Sequence, residues 1–176
     1  MTVPGGVKMS SAIDPRDYRQ AIGLFATGVT VVATEFEGQP RAMTASAVTS
    51  VSLDPLLVLV CIQNILPIAD QVRLAGVFSI NILQENQEDI SNYFAQLWKE
   101  PTPPPYRFVS WEAGPRLEGS MVSIGCVLHE VFDGGDHRIV VGRVVALHKG
   151  DEHSRPLLFY SGRYAGLAVK LSEANS

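Results

Sequence analysis

Charge is scarce in this chain. Its 176 residues hold 14 Lys and Arg and 18 Asp and Glu, 18% in all, for a net charge of −4 at neutral pH. No two basic residues are neighbours, so there is no cationic track for a phosphate backbone, and nucleic acid is not an expected partner. Cysteine is scarce too: Cys61 and Cys126 stand far apart without a CxxC, which excludes a disulfide scaffold and a thiolate metal cluster. Both sit in apolar runs and read as small buried hydrophobes. With no His pair at i, i+4, no metal site is expected. The longest apolar run, Leu56 to Ile62, falls far short of the roughly 20 residues that cross a bilayer. Nothing ahead of Met9 joins a basic start to an apolar stretch, so a reduced, cytoplasmic protein without membrane contact is expected. GxSxG, P-loop and GxGxxG patterns are missing, which removes the nucleophile elbow, the Walker cradle and the Rossmann fingerprint.

What is present is apolar residue, 46% of the chain. A chain of this length buries about 70% of its unfolded surface, enough for one core. We expect a loose lead over residues 1–12, one domain over 13–170 and a tail over 171–176. Asp14 and Pro15 read as the N-cap and first position of a helix, with Tyr18, Ile22 and Phe25 as its buried stripe and Thr27-Gly28 as its end. Strand patterns follow over Val29–Thr34 and Arg41–Leu53, turning at Glu37-Gly38 and broken at Asp54-Pro55. Leu56–Ile62 reads as a strand buried on both faces. Pro67–Leu74 is a short helix closed by Gly76, ahead of a strand over Val77–Leu83, and Gln87–Trp98 a further helix.

Five prolines make residues 99–115 an irregular loop. Two long strands, Met121–Val131 and Arg138–Lys149, are joined by Asp133-Gly134-Gly135-Asp136, and Pro156–Ser161 is the last. In the first of the long strands Val122, Ile124, Cys126 and Leu128 share one face, and Ser123, Gly125 and His129 the opposite one. Between Ile139 and Leu147 both faces are apolar, so that strand is either central or covered by a second subunit. About seven strands linked by short turns, with two or three short helices, favour a mainly β, antiparallel sheet closed as a barrel.

Two stretches could carry chemistry. In Arg41 to Pro55, strand period places Thr44, Ser46, Ser50 and Ser52 on one face and Met43, Ala45, Ala47, Val51 and Leu53 on the other. Short hydroxyls beside an apolar face suit a flat, phosphorylated ligand, and equally an edge strand whose hydroxyls face water. The tandem glycines of Gly134-Gly135-Asp136-His137 make a tight turn that puts His137 at the mouth of the next strand. There it could meet a nucleotide or move a proton near neutral pH, or simply face solvent. Arg163 and Tyr164, after the last strand, could cover a ligand or close a surface terminus.

Together these stretches become more specific. Phe25 to Val32 (FATGVTVV), Met43-Thr44-Ala45-Ser46 with Val51 to Pro55, Phe78 to Leu83 (FSINIL), Gly135-Asp136-His137 and Pro156 to Tyr160 occur in that order. The chain resembles the short-chain flavin reductases, the small components of two-component flavin-dependent monooxygenases, over roughly residues 14–167. The resemblance implies a split β-barrel, usually a homodimer, that binds FMN or FAD and reduces it with NADH or NADPH for a partner oxygenase. It further implies that Gly28, Val29, Thr30, Val31 and Val32, with Met43, Thr44, Ala45, Ser46, Ala47 and Val48, border the isoalloxazine ring. Thr49, Ser50 and Ser52 would lie toward the ribityl and phosphate end. Cys61, Ile62, Phe78 and Asn81 would complete the pocket, and Asp136, His137, Arg163 and Tyr164 would face the nicotinamide. Backbone N–H groups near residues 45–48 are candidate donors to the reduced ring. His137, the candidate catalytic residue, orients the nicotinamide rather than acting as a base, because hydride transfer needs none. Where the family often has Lys or Ser after the equivalent of Asn64, this chain has Ile65 and Leu66.

Two other classes stay open from the residues alone. One is a flavin-binding storage, sensing or electron-carrying protein without reductase turnover. The other is a split-barrel oxidoreductase of the pyridoxamine-phosphate oxidase or heme-handling kind, against which stands the lack of clustered basic residues.

Overall fold

Alternating burial and tight glycine turns organise nearly half of the described residues into antiparallel strands. The computed structural model describes residues 13–151 and 153–168; the expected lead over 1–12 and tail over 171–176 lie outside them. In chain order the elements are helix α1 (Pro15–Ile22), β1 (Thr27–Gly28), β2 (Thr30–Phe36), β3 (Gln39–Ala45), β4 (Val48–Leu53), β5 (Leu56–Gln63), α2 (Ile68–Ala75), β6 (Val77–Ile82) and α3 (Glu88–Phe94). They continue with β7 (Phe108–Val109), β8 (Arg116–Leu117), β9 (Val122–Gly134), β10 (His137–Lys149), β11 (Leu158–Tyr160) and β12 (Arg163–Ala165). The main sheet has seven strands in the order β3-β2-β6-β9-β10-β5-β4, and β1, β11 and β12 form a small second sheet. All pairings are antiparallel.

The hairpins follow from their turns. Glu37 and Gly38, at φ 53° and 69°, give the left-handed pair that matches strand twist between β2 and β3. Gly135, at φ 76°, starts the two-residue turn between β9 and β10, so the strands run longer than the sequence pattern marks. Helix α1 is capped as expected, the Asp14 side chain accepting from the Arg16 amide at 2.7 Å with Pro15 at the first position. Gly76 closes α2 in the left-handed region, the conformation glycine adopts without a Cβ penalty.

The core lies inside the curved sheet. Val32, Val60, Ile62, Phe78, Ile80, Cys126 and Val140 are fully buried there, with Ile68, Ala69 and Val72 of α2 packed against them. A second cluster of Val29, Val31, Leu83, Ile90, Leu117 and Leu157 sits beneath α3. β9 and β10 shift register at Val141/Gly142, where Gly142 lets backbone pass against Phe78: a Cβ there would lie 2.5 Å from the ring edge and 2.8 Å from Cys126 Cβ.

Several expectations are corrected. The stripe of α1 is not buried: Tyr18, Ile22 and Phe25 are 62, 52 and 71% exposed, because no other element among the described residues covers that face of the helix. Thr27-Gly28 is a strand paired with Phe159 and Leu158 rather than the helix end, which comes at Ile22. Arg41–Leu53 is two strands, because Ser46 and Ala47 fall outside both ladders. β5 buries only alternate residues, Val58, Val60 and Ile62. α3 ends at Phe94, four residues short of Trp98. The Ser123 and Gly125 face of β9 is buried as well, Ala113 and Trp111 of the proline-rich segment packing over Gly125. β10 is central, between β9 and β5, yet leaves Val145 and Leu147 exposed. The sheet is not closed: its outer strands β3 and β4 make no ladder with each other. A barrel split between these two strands results, with Ser46-Ala47 crossing the seam.

Candidate functional site at the barrel seam

The seam exists because the chain leaves one edge of the sheet at Ala45 and re-enters at the other edge at Val48. Small residues there keep the crossing open, and three clefts meet on it. The first, about 410 Å3, is lined by Met43, Thr44, Ala45, Ser46, Ala47, Cys61, Gln63, Ile65, Leu66, Phe94, Ala95, Gln96 and His137. The second, about 500 Å3, adds Val48, Thr49 and Leu59 on the sheet side and Arg19, Ile22, Phe25 and Phe159 on the other, sharing Ser46, Ala47 and Cys61 with the first. A third of about 150 Å3 joins Val29, Thr44 and Ser46 to Ser91 and Tyr164. Ser46 borders all three.

The walls are held by hydrogen bonds that reach across the sequence. Thr44 Oγ1 donates to the Ser91 carbonyl at 2.7 Å, docking α3 on β3. Tyr164 Oη lies 2.9 Å from Ser91 Oγ and donates to Asn92 Oδ1 at 3.1 Å, while its ring meets Phe159 edge-on at 5.3 Å. Phe94 is fixed by Tyr106 and Phe108, at centroid distances of 5.0 and 5.8 Å. The turn before His137 is clamped by Asn64, whose amide nitrogens reach the Asp136 and Gly135 carbonyls, each at 3.0 Å. His137 is half-buried, and its Nδ1 lies 2.7 Å from Asp136 Oδ1. That hydrogen bond holds the Asp136 carboxyl below its ordinary range. Burial raises the Cys61 thiol somewhat and pushes Cys126 up to about 12, so neither is a ready thiolate.

Of the residues expected from sequence, the clefts gather Val29, Met43 to Thr49, Cys61, His137 and Tyr164. Val31, Val32, Ile62, Phe78 and Asn81 are not gathered; all five are fully buried. Asn81 spends its amide inside the fold, donating to the Val31 carbonyl and Ser79 Oγ and accepting from the Leu117 amide. Thr30 is buried with its hydroxyl on the Ala45 carbonyl. Gly28 is exposed on β1. Ser50 and Ser52 straddle a register shift in β4, so the hydroxyls do not form one row. Ser52 Oγ accepts from the Asp54 amide at 3.2 Å. Arg163 is exposed at the start of β12 and lines none of these three clefts.

The first cleft also uses residues with no marked signal in the sequence, among them Gln63, Phe94 and Gln96. Ile22 and Phe25 did carry a signal, the apolar stripe of α1, which reads as core until the helix is seen to be uncovered. Ile65 is 85% exposed, and among the described residues Arg19 is the one Lys or Arg lining the first two clefts.

Small residues at the floor, aromatic and aliphatic walls and a histidine at the rim suit a planar ring system with polar edges. A model of the flavin reductase like domain matches residues 22–168. The chain is 42% identical to an NADH-dependent flavin reductase from a Rhodococcus species, over 96% of this chain and 95% of that protein. It is 37% identical to the reductase subunit HsaB of a flavin-dependent monooxygenase from Mycobacterium tuberculosis, covering 90% and 86% respectively. Its fold superposes on the flavin reductase PheA2 with a TM-score of 0.84 at 35% identity, over 89% of this chain and all of that one. With the split barrel and the seam clefts already in place, the matched span leaves one conclusion: the chain belongs to the flavin reductase-like family.

Proposed function

We propose that the seam binds a flavin and a reduced nicotinamide nucleotide together, and that the protein is an NADH-dependent flavin reductase supplying reduced flavin to a separate monooxygenase. The observation that carries this reading is the meeting of the clefts on Ser46 and Ala47, in a chain of this family. The donor set fits a flavin: small side chains at residues 45–47 leave room for a ring, and although the Ser46 and Ala47 carbonyls accept from the Val48 and Cys61 amides, their backbone N–H groups can donate to it. Residues 45–48 would hold the isoalloxazine, with the phosphate end toward Thr49 and Arg19 and the nicotinamide in the first cleft beside His137.

A bound flavin would supply the redox chemistry, hydride transfer from the reduced nicotinamide. The protein's own residues would hold the two rings side by side for that transfer. Thr44 fixes the α3 wall through the Ser91 carbonyl, and Asn64 fixes the turn that aims His137. His137 orients the nucleotide, its ring turned by the bond to Asp136. Ile65, Leu66 and Phe94 give the cleft apolar walls that exclude water from the stacked rings.

A second copy of the chain belongs to the same reading. Ile22 and Phe25 line the second cleft while more than half exposed. Leu53, Leu56, Val145 and Leu147 extend the uncovered apolar surface along β4, β5 and β10. A homodimer would bury these residues and close the flavin site.

The test is to mix pure protein with flavin and NADH and follow NADH absorbance, with light scattering for mass. Catalytic loss of NADH from a particle of twice the chain mass is expected. Tight flavin binding without NADH loss would favour a storage or electron-carrying protein and overturn the reading.

A further inference from the structure

Gln96 stands where helix α3 ends, in a position that glycine fills best. The Leu97 amide donates to the Asn92 carbonyl at 2.9 Å and the Gln96 amide to the Tyr93 carbonyl at 3.1 Å, the paired closing bonds of a Schellman motif. Gln96 is the residue of that motif in the left-handed region, with φ 61°, where a Cβ is strained. The backbone is held in this shape from outside. Thr44 bonds the Ser91 carbonyl, Tyr164 bonds Asn92, and Phe94 is packed among Tyr106 and Phe108.

The strained residue is also a cleft residue on two sides. Gln96 is exposed, lines the first cleft together with His137 and lines an adjoining cleft of about 180 Å3 with Arg41 and Gln71. Among the described residues the first cleft has no Lys or Arg on its wall, so a neutral ligand group finds neutral donors and acceptors there. A primary amide offers both at once.

Resting on the reading of the first cleft as the nicotinamide site, we propose that Gln96 is a binding residue for the nicotinamide carboxamide. The amide pairs with its like, and the strain at the helix end keeps a side chain where glycine would remove it. His137 and Gln96 then both hold the nucleotide, and Gln96 sets its preference for a carboxamide-bearing ring.

The structure gives this a signature of opposed signs. Gln96→Gly relieves the left-handed strain, so its Tm should rise by a few degrees. The lost amide contact should raise the KM for NADH about tenfold, with flavin affinity, read by fluorescence titration, within about twofold of the parent. Gln96→Leu keeps the strain and bulk but removes the amide; its KM for NADH should rise similarly without the gain in Tm. A KM unchanged in either variant, a rise in the glycine variant alone, or a loss of flavin affinity instead would overturn the proposal. Failure of the underlying reading looks different: the parent protein itself would bind no flavin or oxidise no NADH.

Discussion

Asn64 and Gly135 are far apart in the sequence, yet Asn64 Nδ2 donates to the Gly135 carbonyl at 3.0 Å. The Asn64 backbone N–H meets the next carbonyl, that of Asp136, at the same distance. One residue after β5 thus sets the pose of the turn that delivers His137. In Asn64→Ala the backbone bond remains and the side-chain bond goes, costing about 1 kcal/mol of stability. We expect a higher KM for NADH with little change in flavin affinity, and a larger change of the same kind for His137→Ala. Steady-state kinetics with flavin titration check both; unchanged behaviour toward NADH in His137→Ala would remove His137 from the site.

Asp70 in α2 pairs with Arg138 at the start of β10, and Arg73 lies 3.8 Å away. The hydrogen bond from Arg138 leads in holding the Asp70 carboxyl below its ordinary range. A carboxyl lowered in the folded state adds stability above its unfolded value, about 3.9, and loses it as pH falls through the lower folded value. Urea midpoints of the parent and Asp70→Asn should therefore differ near neutrality and converge below about pH 4. A constant gap down to strong acid would show that the charge of Asp70 is not what matters.

The two thiols should separate cleanly in a native titration with a disulfide reagent. Cys126 is fully buried with its thiol pushed up to about 12, whereas Cys61 is half-buried and borders two clefts. One slow equivalent is expected, at Cys61, and saturating flavin should slow it further. Two equivalents without denaturant would contradict the packing around Cys126.

Gly142→Ala should destabilise the barrel by about 2 kcal/mol or more. Its Cβ would enter the space of Phe78 on β6 and Cys126 on β9, and both are fully buried with packed neighbours around them. Thermal unfolding reads this directly, and a Tm equal to the parent's would mean that the close approach relaxes freely.

The sequence made the ladders legible and the seam only half so. Period-two runs and Gly-centred turns located the hairpins β2/β3 and β9/β10, since each depends on residues within a few positions. The Asp14-Pro15 start and Gly76 stop were equally local. Burial was harder to read. Tyr18, Ile22 and Phe25 have core spacing, but whether a stripe is covered depends on what else crosses it, and nothing among the described residues does. Asn81 and Phe78 sit in the stretches that carry the family resemblance, yet face inward, because a motif marks a strand and not which of its side chains meet a ligand. Gln96 was hidden for a third reason: a left-handed residue other than glycine leaves no mark in composition or period.

The small sheet at the edge of the site joins Thr27 and Gly28 to Leu158 and Phe159, near the two ends of the matched span. A ribosome must therefore release nearly the whole domain before that pairing can form. Until then the long hairpins can assemble, but Phe159 and Tyr164 are not yet in place. A nascent chain stalled after β10 would carry the sheet and its histidine turn with one wall still open. Of the described elements, the ones that close the site are the last the chain supplies.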